Sequence, residues 1–330
     1  MKHVGLASNG SKIMQINLER AGLSVKLLSL GACLQDLRIN SYKHSLVLGY
    51  PDINSYFSNI NYFGATIGPF ANRLANGRTI ALGKTIELDR NTLNGDHLHG
   101  GLDGVHSLNW DVVENSDYHV IFKLNLQNSY MGSTQNMTVL TTYRLLDNQT
   151  LEVDIVAQSD IATLCSFCHH SYFNLTGQSD IFGHQLQVFG DAYLPVNKNK
   201  IPTGEIASVI DTDFDFRQKK VLSSYNPIDH NFCISNKKEN MQKVAILSSL
   251  DKNLEMHVSS TEPGLQIYTG QNIDADGPAG NLGSSYAPFS GVALEPQLWP
   301  DAPNHDAFPS ALLMPNDVYR NISQFRFKQR

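Results

Sequence analysis

A chain of 330 residues could hold two ordinary domains, but all-β sandwiches and barrels often run past roughly 200 residues as one unit, so length alone does not divide it. The hydrophobic fraction of 41% is enough for a substantial core, while the charged fraction of 17% lies below the roughly 25% typical of soluble domains and leaves much of the surface to Asn, Ser, Thr and Gln. A net charge of -6, with Lys and Arg never clustered beyond pairs such as Lys219-Lys220 and Lys237-Lys238, excludes a basic stripe for nucleic acid, and no apolar run is long enough to span a bilayer.

The amino terminus, residues 1–10, turns polar before an apolar signal core can develop, which predicts a cytoplasmic protein. The cysteines Cys33, Cys165, Cys168 and Cys233 are too few for a disulfide framework and are expected as free thiols. Residues 52–57 form a short amphipathic helical window. Gly83-Lys84 then punctuates a hairpin between strand-like runs at 78–82 and 85–88. Strand alternation follows at 121–126 and again where Leu151, Val153 and Ile155 alternate with Glu152 and Asp154. Asp147-Asn148 separates runs at 139–145 and 151–156, and a third hairpin folds back at Asp251-Lys252-Asn253. Residues 270–288, rich in Gly, Asn and Asp, read as a long surface loop, and a second helical window covers 306–311. No linker or internal repeat interrupts the pattern. The expectation is all-β: one large antiparallel β-sandwich over residues 1–330.

Two segments stand out chemically. Cys168-His169-His170-Ser171-Tyr172-Phe173-Asn174-Leu175 offers an imidazole, and Ala293-Leu294-Glu295-Pro296-Gln297 offers a carboxylate inside an apolar run. An ionised carboxylate there is costly to bury unless it is well paired or used in catalysis. Pro296 removes a backbone donor and holds Glu295 extended. A metal reading of His97 and His99, or of Cys165 and Cys168 beside His169 and His170, fails on the ligand count a zinc site requires. It fails also on direction, because in a strand Cys165 and Cys168 point to opposite faces, as do His169 and His170. No metal and no cofactor are expected. Arg73 beside Asn72, Asp229 in Asp229-His230-Asn231-Phe232, and Gln266 in an apolar run each supply groups able to hold sugar hydroxyls. Taken singly, each is more often structural.

Taken in order, the motifs resemble the aldose 1-epimerases, the galactose mutarotase family. The resemblance is carried by Gly64-Ala65-Thr66-Ile67-Gly68 through Asn72-Arg73-Leu74-Ala75-Asn76-Gly77, by Leu98-His99-Gly100-Gly101, and by His170-Ser171-Tyr172-Phe173-Asn174-Leu175. It continues through Tyr193-Leu194-Pro195-Val196, Ile201-Pro202-Thr203-Gly204-Glu205, Phe214-Asp215-Phe216-Arg217 and Asp229-His230-Asn231-Phe232. Gln266-Ile267-Tyr268-Thr269-Gly270 and Glu295-Pro296-Gln297 through Trp299-Pro300-Asp301-Ala302-Pro303-Asn304 complete the set. The resemblance implies a galactose mutarotase-like supersandwich, with Glu295 as base and His170 as acid in anomer interconversion. It implies that His99 lies near the sugar ring, and that Asn72, Arg73, Asp229 and Gln266 hold the substrate. The expected partner is a monosaccharide, with the protein a monomer or homodimer. Pro69, where many relatives carry arginine, and His169, where many carry asparagine, depart from the pattern. An epimerase of phosphorylated hexoses would need a basic cluster, a silent sugar-binding protein would need neither base nor acid, and a two-carboxylate glycosidase would need a second acid opposite Glu295.

Overall fold

The computed structural model describes residues 1–57, 61–127, 136–251 and 253–329. Among them, the largest sheet has nine antiparallel strands in the order Asp111–Asn115, His119–Gln127, Asn136–Leu146, Thr150–Ser159, Tyr319–Gln329, Leu254–Ser260, Gln242–Ser248, Gln185–Val188 and Lys220–Val221. A six-stranded sheet runs Tyr172–Phe173, Val292–Gln297, Gly264–Tyr268, Asp229–Cys233, Ala192–Tyr193 and Ala207–Ser208. A four-stranded amino-terminal sheet joins Lys2–Leu6, Lys12–Arg20, Leu23–Leu28 and Cys33–Ile39 in sequence order. The fold is the expected all-β sandwich.

Period-2 alternation decides which face each strand buries. Val153, Ile155, Val258, Leu247 and Phe325 of the large sheet share one core with Phe173, Leu265, Ile267, Phe232, Val292 and Leu294 of the six-stranded sheet. Their sequence neighbours Gln266, Glu295, Asp229 and Asn231 must therefore point away from that core. This one fact positions the site.

Local expectations are met with shifts. The first hairpin turns on Leu82-Gly83, one residue earlier than expected, because both residues take left-handed φ values of 52° and 71° while Lys84 pairs with Ala81. The second has Asp147, Asn148 and Gln149 in its loop, with Leu146 opposite Thr150. The third joins paired strands, with Lys252 outside the described residues. A 3-10 helix at Ile53–Tyr56 is capped by the Asp52 side chain. The window at 306–311 is not helical; a 3-10 turn forms instead at Ala302–Asn304, where Pro303 fits the first turn. All four cysteines are free. No helix among the described residues is long and apolar enough to cross a membrane.

Candidate active site

Three adjacent strands put their polar alternates in one row. Register sets Asn231 opposite Gln266 and Gln266 opposite Glu295. Gln266 Nε2 donates to Asp229 Oδ1 at 2.8 Å, which tethers the amide beside the base. Over this polar face lies the segment carrying Asn72 and Arg73, paired with the His97–Leu98 strand. The result is a cavity of about 220 Å³ lined by Asn72, Arg73, His99, His170, Asp229, Gln266 and Glu295, the seven residues singled out from the sequence, together with Asn61, Tyr62, Leu98, Tyr172, Tyr268 and Asn272. A larger groove of about 610 Å³ runs past Lys26, Asp36 and Arg38. There Asp36 pairs with both cations, so no acid–base pair is available.

Glu295 and His170 meet inside the cavity, with His170 Nε2 3.4 Å from Glu295 Oε2 and both side chains almost wholly buried. Burial pushes the Glu295 carboxyl up to about 8; the Cys168 thiol and Arg73 oppose the rise while Asp229 adds to it. Burial also pushes His170 down to about 3, with His106 contributing. Both shifts favour the uncharged forms, as expected for a dry pocket. Arg73 is half-buried and, among the described residues, forms no ion pair, so its fork is free for a ligand.

His99 is fixed by an unusual backbone. It sits at φ 54°, Asn72 sits at φ 64°, and Gly100 and Gly101 follow at 90° and 80°. Such a left-handed run is costly for side chains with Cβ, which is why two glycines end the motif. The two non-glycine members hold each other: His99 N–H donates to the Asn72 carbonyl at 3.1 Å, and Asn72 N–H donates to His99 Nδ1 at 3.2 Å. With Nδ1 accepting, the neutral ring carries its proton on Nε2. His97 is structural, its ring bridging the Asp89 carbonyl at 2.9 Å and the Gly100 N–H at 3.2 Å.

His99, His170 and Glu295 bring ligand-type atoms within 4.8 Å of one another, but a metal needs a free lone pair from each histidine. The Asn72 N–H already occupies Nδ1 of His99, and Nε2 is then protonated. The donor set suits a hydrogen-bonded polyol better than a cation.

The two departures fall outside the cleft lining. Pro69 is buried, and its carbonyl accepts from Ser166 N–H at 2.7 Å. His169 points into the sandwich, 2.7 Å from Ser171 Oγ and 3.2 Å from Tyr143 OH, and burial pushes it down to about 3. It is a neutral core histidine rather than a titrating neighbour of the site.

Several cavity residues escaped sequence reasoning. Tyr268 lies two positions beyond Gln266 and hence on the same strand face, and Tyr172 lies two positions beyond His170, with their ring centroids 5.1 Å apart. Tyr62 gave no such signal. Its ring centroid lies 4.8 Å from those of His99 and His106 and 5.8 Å from that of His170.

Fold and cleft together define a class: an all-β sandwich of the galactose mutarotase type with a small polar cavity on its six-stranded sheet. The family model for aldose 1-epimerase matches residues 14–326. The chain is 35% identical to the galactose mutarotase of Rattus norvegicus, over 98% of this chain and 96% of that protein. It is 32% identical to the aldose 1-epimerase of Escherichia coli (strain K12), over 98% and 97%. Among solved structures, a GalM/aldose epimerase homologue from C. elegans superposes with a TM-score of 0.89 at 28% identity, covering 96% of this chain and 99% of that one. The chain belongs to the aldose 1-epimerase family, and is an isomerase that interconverts the α and β anomers of aldoses.

Proposed function

We propose that Glu295 and His170 carry the reaction on a free, unphosphorylated aldose such as galactose or glucose. The observation that carries this reading is the 3.4 Å approach of His170 Nε2 to Glu295 Oε2 in the cavity, since the C1 hydroxyl and ring oxygen of an aldopyranose are bonded to the same carbon. Glu295 takes the C1 hydroxyl proton while protonated His170 gives one to the ring oxygen. The ring opens to the aldehyde, C1 turns about the C1–C2 bond, and reversed transfers close the other anomer. His99, with its proton on Nε2, stabilises charge developing at the ring oxygen. Arg73, Asp229 and Gln266 hold the remaining hydroxyls while C1 turns, with Asn72 fixing His99. No cofactor enters these steps.

Arg73 is the one Lys or Arg among the described residues lining the cavity, which supports a neutral sugar over a phosphorylated one. Polarimetry on fresh α-D-galactose, α-D-glucose and glucose 6-phosphate tests this. Acceleration over each sugar's own buffer rate is expected for the free sugars alone, whereas a greater acceleration for the phosphorylated hexose would overturn the substrate class. We further propose that residues 1–330 form one domain, supported by a core cluster containing Ile16 from the four-stranded sheet, Phe325 from the nine-stranded sheet and Leu294 from the six-stranded sheet. Four free thiols support a reducing, cytoplasmic setting.

A further inference from the structure

Glu295 Oε2 has two neighbours from a single extended segment. His170 Nε2 lies at 3.4 Å, and Cys168 Sγ, two residues earlier and so on the same side, lies at 3.6 Å within reach of a thiol hydrogen bond. Among the described residues, that thiol is the hydrogen-bond donor to the carboxylate. Cys168 is fully buried, packed with Ala65, Ile67 and Ala71, so it closes the back of the pocket rather than facing the sugar. We propose that Cys168 is a positioning residue for the base: its S–H, donated to Oε2, aims the Glu295 carboxylate at the cavity and weakens that carboxylate's hold on its proton. The inference rests on Glu295 and His170 acting as proposed above.

The other charged or titratable groups around the carboxylate are His170, His99, Asp229, Arg73 and the Tyr172 hydroxyl, all on the cavity side. Asp229 raises the proton affinity of Glu295 and Arg73 lowers it. Behind Cys168 lies the buried Glu262, bonded to Lys238 Nζ at 2.5 Å. Burial and the nearby Glu295 hold the thiol itself far above its ordinary range, so it stays protonated and able to donate. A thiol is a weak donor. It steadies the carboxylate only slightly, leaving a base that remains basic inside a dry pocket.

The consequence is a specific pH signature. Removing the donor in Cys168→Ala leaves more of the pair's single proton on Glu295 and less on His170, so the productive arrangement becomes rarer. The plateau of kcat/KM should fall about three- to tenfold, the scale of a weak hydrogen bond to a charged acceptor, while the alkaline limb moves to higher pH by the matching amount. Above that limb the variant and parent curves should converge, because Glu295 is ionised in both. Cys168→Ser, which restores a donor in nearly the same volume, should recover the parent plateau and limb.

Measuring kcat/KM against pH for parent, Cys168→Ala and Cys168→Ser, with Glu295→Gln alongside and melting temperatures for all, decides the matter. An unmoved alkaline limb in Cys168→Ala, or a loss of rate equal at every pH, would overturn the role of the thiol while Glu295→Gln remains inactive. Near-normal turnover in Glu295→Gln would instead sink the underlying assignment of the base. Should Cys168→Ala not fold, Cys168→Val takes its place, filling the volume without a donor to Oε2: its alkaline limb should move to higher pH with a lower plateau, and an unmoved limb contradicts the proposal.

Discussion

Glu295 and His170 are buried together where neither charge is well solvated, and the reaction needs both charges at once. With His170 pushed down to about 3 and Glu295 pushed up to about 8, the pair holds one proton across the interval between them. Catalysis draws on the arrangement in which that proton sits on His170. The rate should therefore fall below pH about 3 as the pair takes a second proton, and above about 8 as it loses its last. A kcat/KM profile without an alkaline limb would contradict this pairing. His169 belongs to the core, so His169→Asn should keep activity and the same limbs. It should cost about 1–3 kcal/mol of stability in urea unfolding, since the Tyr143 and Ser171 hydroxyls lose a buried partner. Activity should also survive exhaustive chelation, because the Asn72 N–H occupies the lone pair that His99 would offer a metal; recovery only on adding zinc back would reverse that conclusion.

Among the elements, the segment carrying Asn72 and Arg73 is braced from the far end of the chain. Asp301, buried and left-handed at φ 56°, accepts from Ala75 N–H at 2.9 Å and Asn304 Nδ2 at 2.7 Å, while its own N–H donates to the Arg73 carbonyl at 2.9 Å. His305 Nε2 lies 3.0 Å from its second oxygen. Asp301→Ala should thus cost about 1–3 kcal/mol through unpaired buried donors. It should raise KM more than it lowers kcat, because the Arg73 fork loses its mount while Glu295 and His170 stay in place. An unchanged KM in a folded variant would show that the segment holds itself. This brace explains what the sequence could and could not convey. Alternation in 292–297 and 264–268 makes Glu295 and Gln266 legible as the off-core face of their strands. The covering layer is not legible that way, because it depends on contacts between positions more than 200 apart, such as Ala75 with Asp301. The helix expected at 306–311 does not form for a related reason: an amphipathic spacing over six residues is satisfied equally by an irregular segment packing Phe308 against Trp299. Tyr62 could not be found from its neighbours, since its place beside His99 and His170 comes from a left-handed backbone at φ 57° and not from a strand period.

For the molecule as a whole, a buried base is a cost to folding that depends on pH. The Glu295 carboxyl is raised from 4.5 to about 8 in the folded protein. The folded state therefore keeps a proton that the unfolded chain releases, and the stabilisation present below pH about 4.5 is lost as pH rises through about 8. Glu295→Gln removes that loss. Its melting temperature relative to the parent should climb between pH 5 and 8.5, and a constant difference across that range would show that the carboxylate is not desolvated as described. The same substitution is expected to stabilise the fold and abolish the chemistry, a trade common where a site is held in a strained electrostatic state.

The central claim is that the Glu295–His170 pair drives anomer exchange. The direct test is the polarimetric relaxation of freshly dissolved α-D-galactose in the presence of the parent protein, Glu295→Gln and His170→Asn, each verified as folded by its melting curve. The parent should speed relaxation far beyond the buffer rate, and each variant should lose about 10²- to 10⁴-fold of that acceleration. Near-parental relaxation by a folded Glu295→Gln protein would contradict the account.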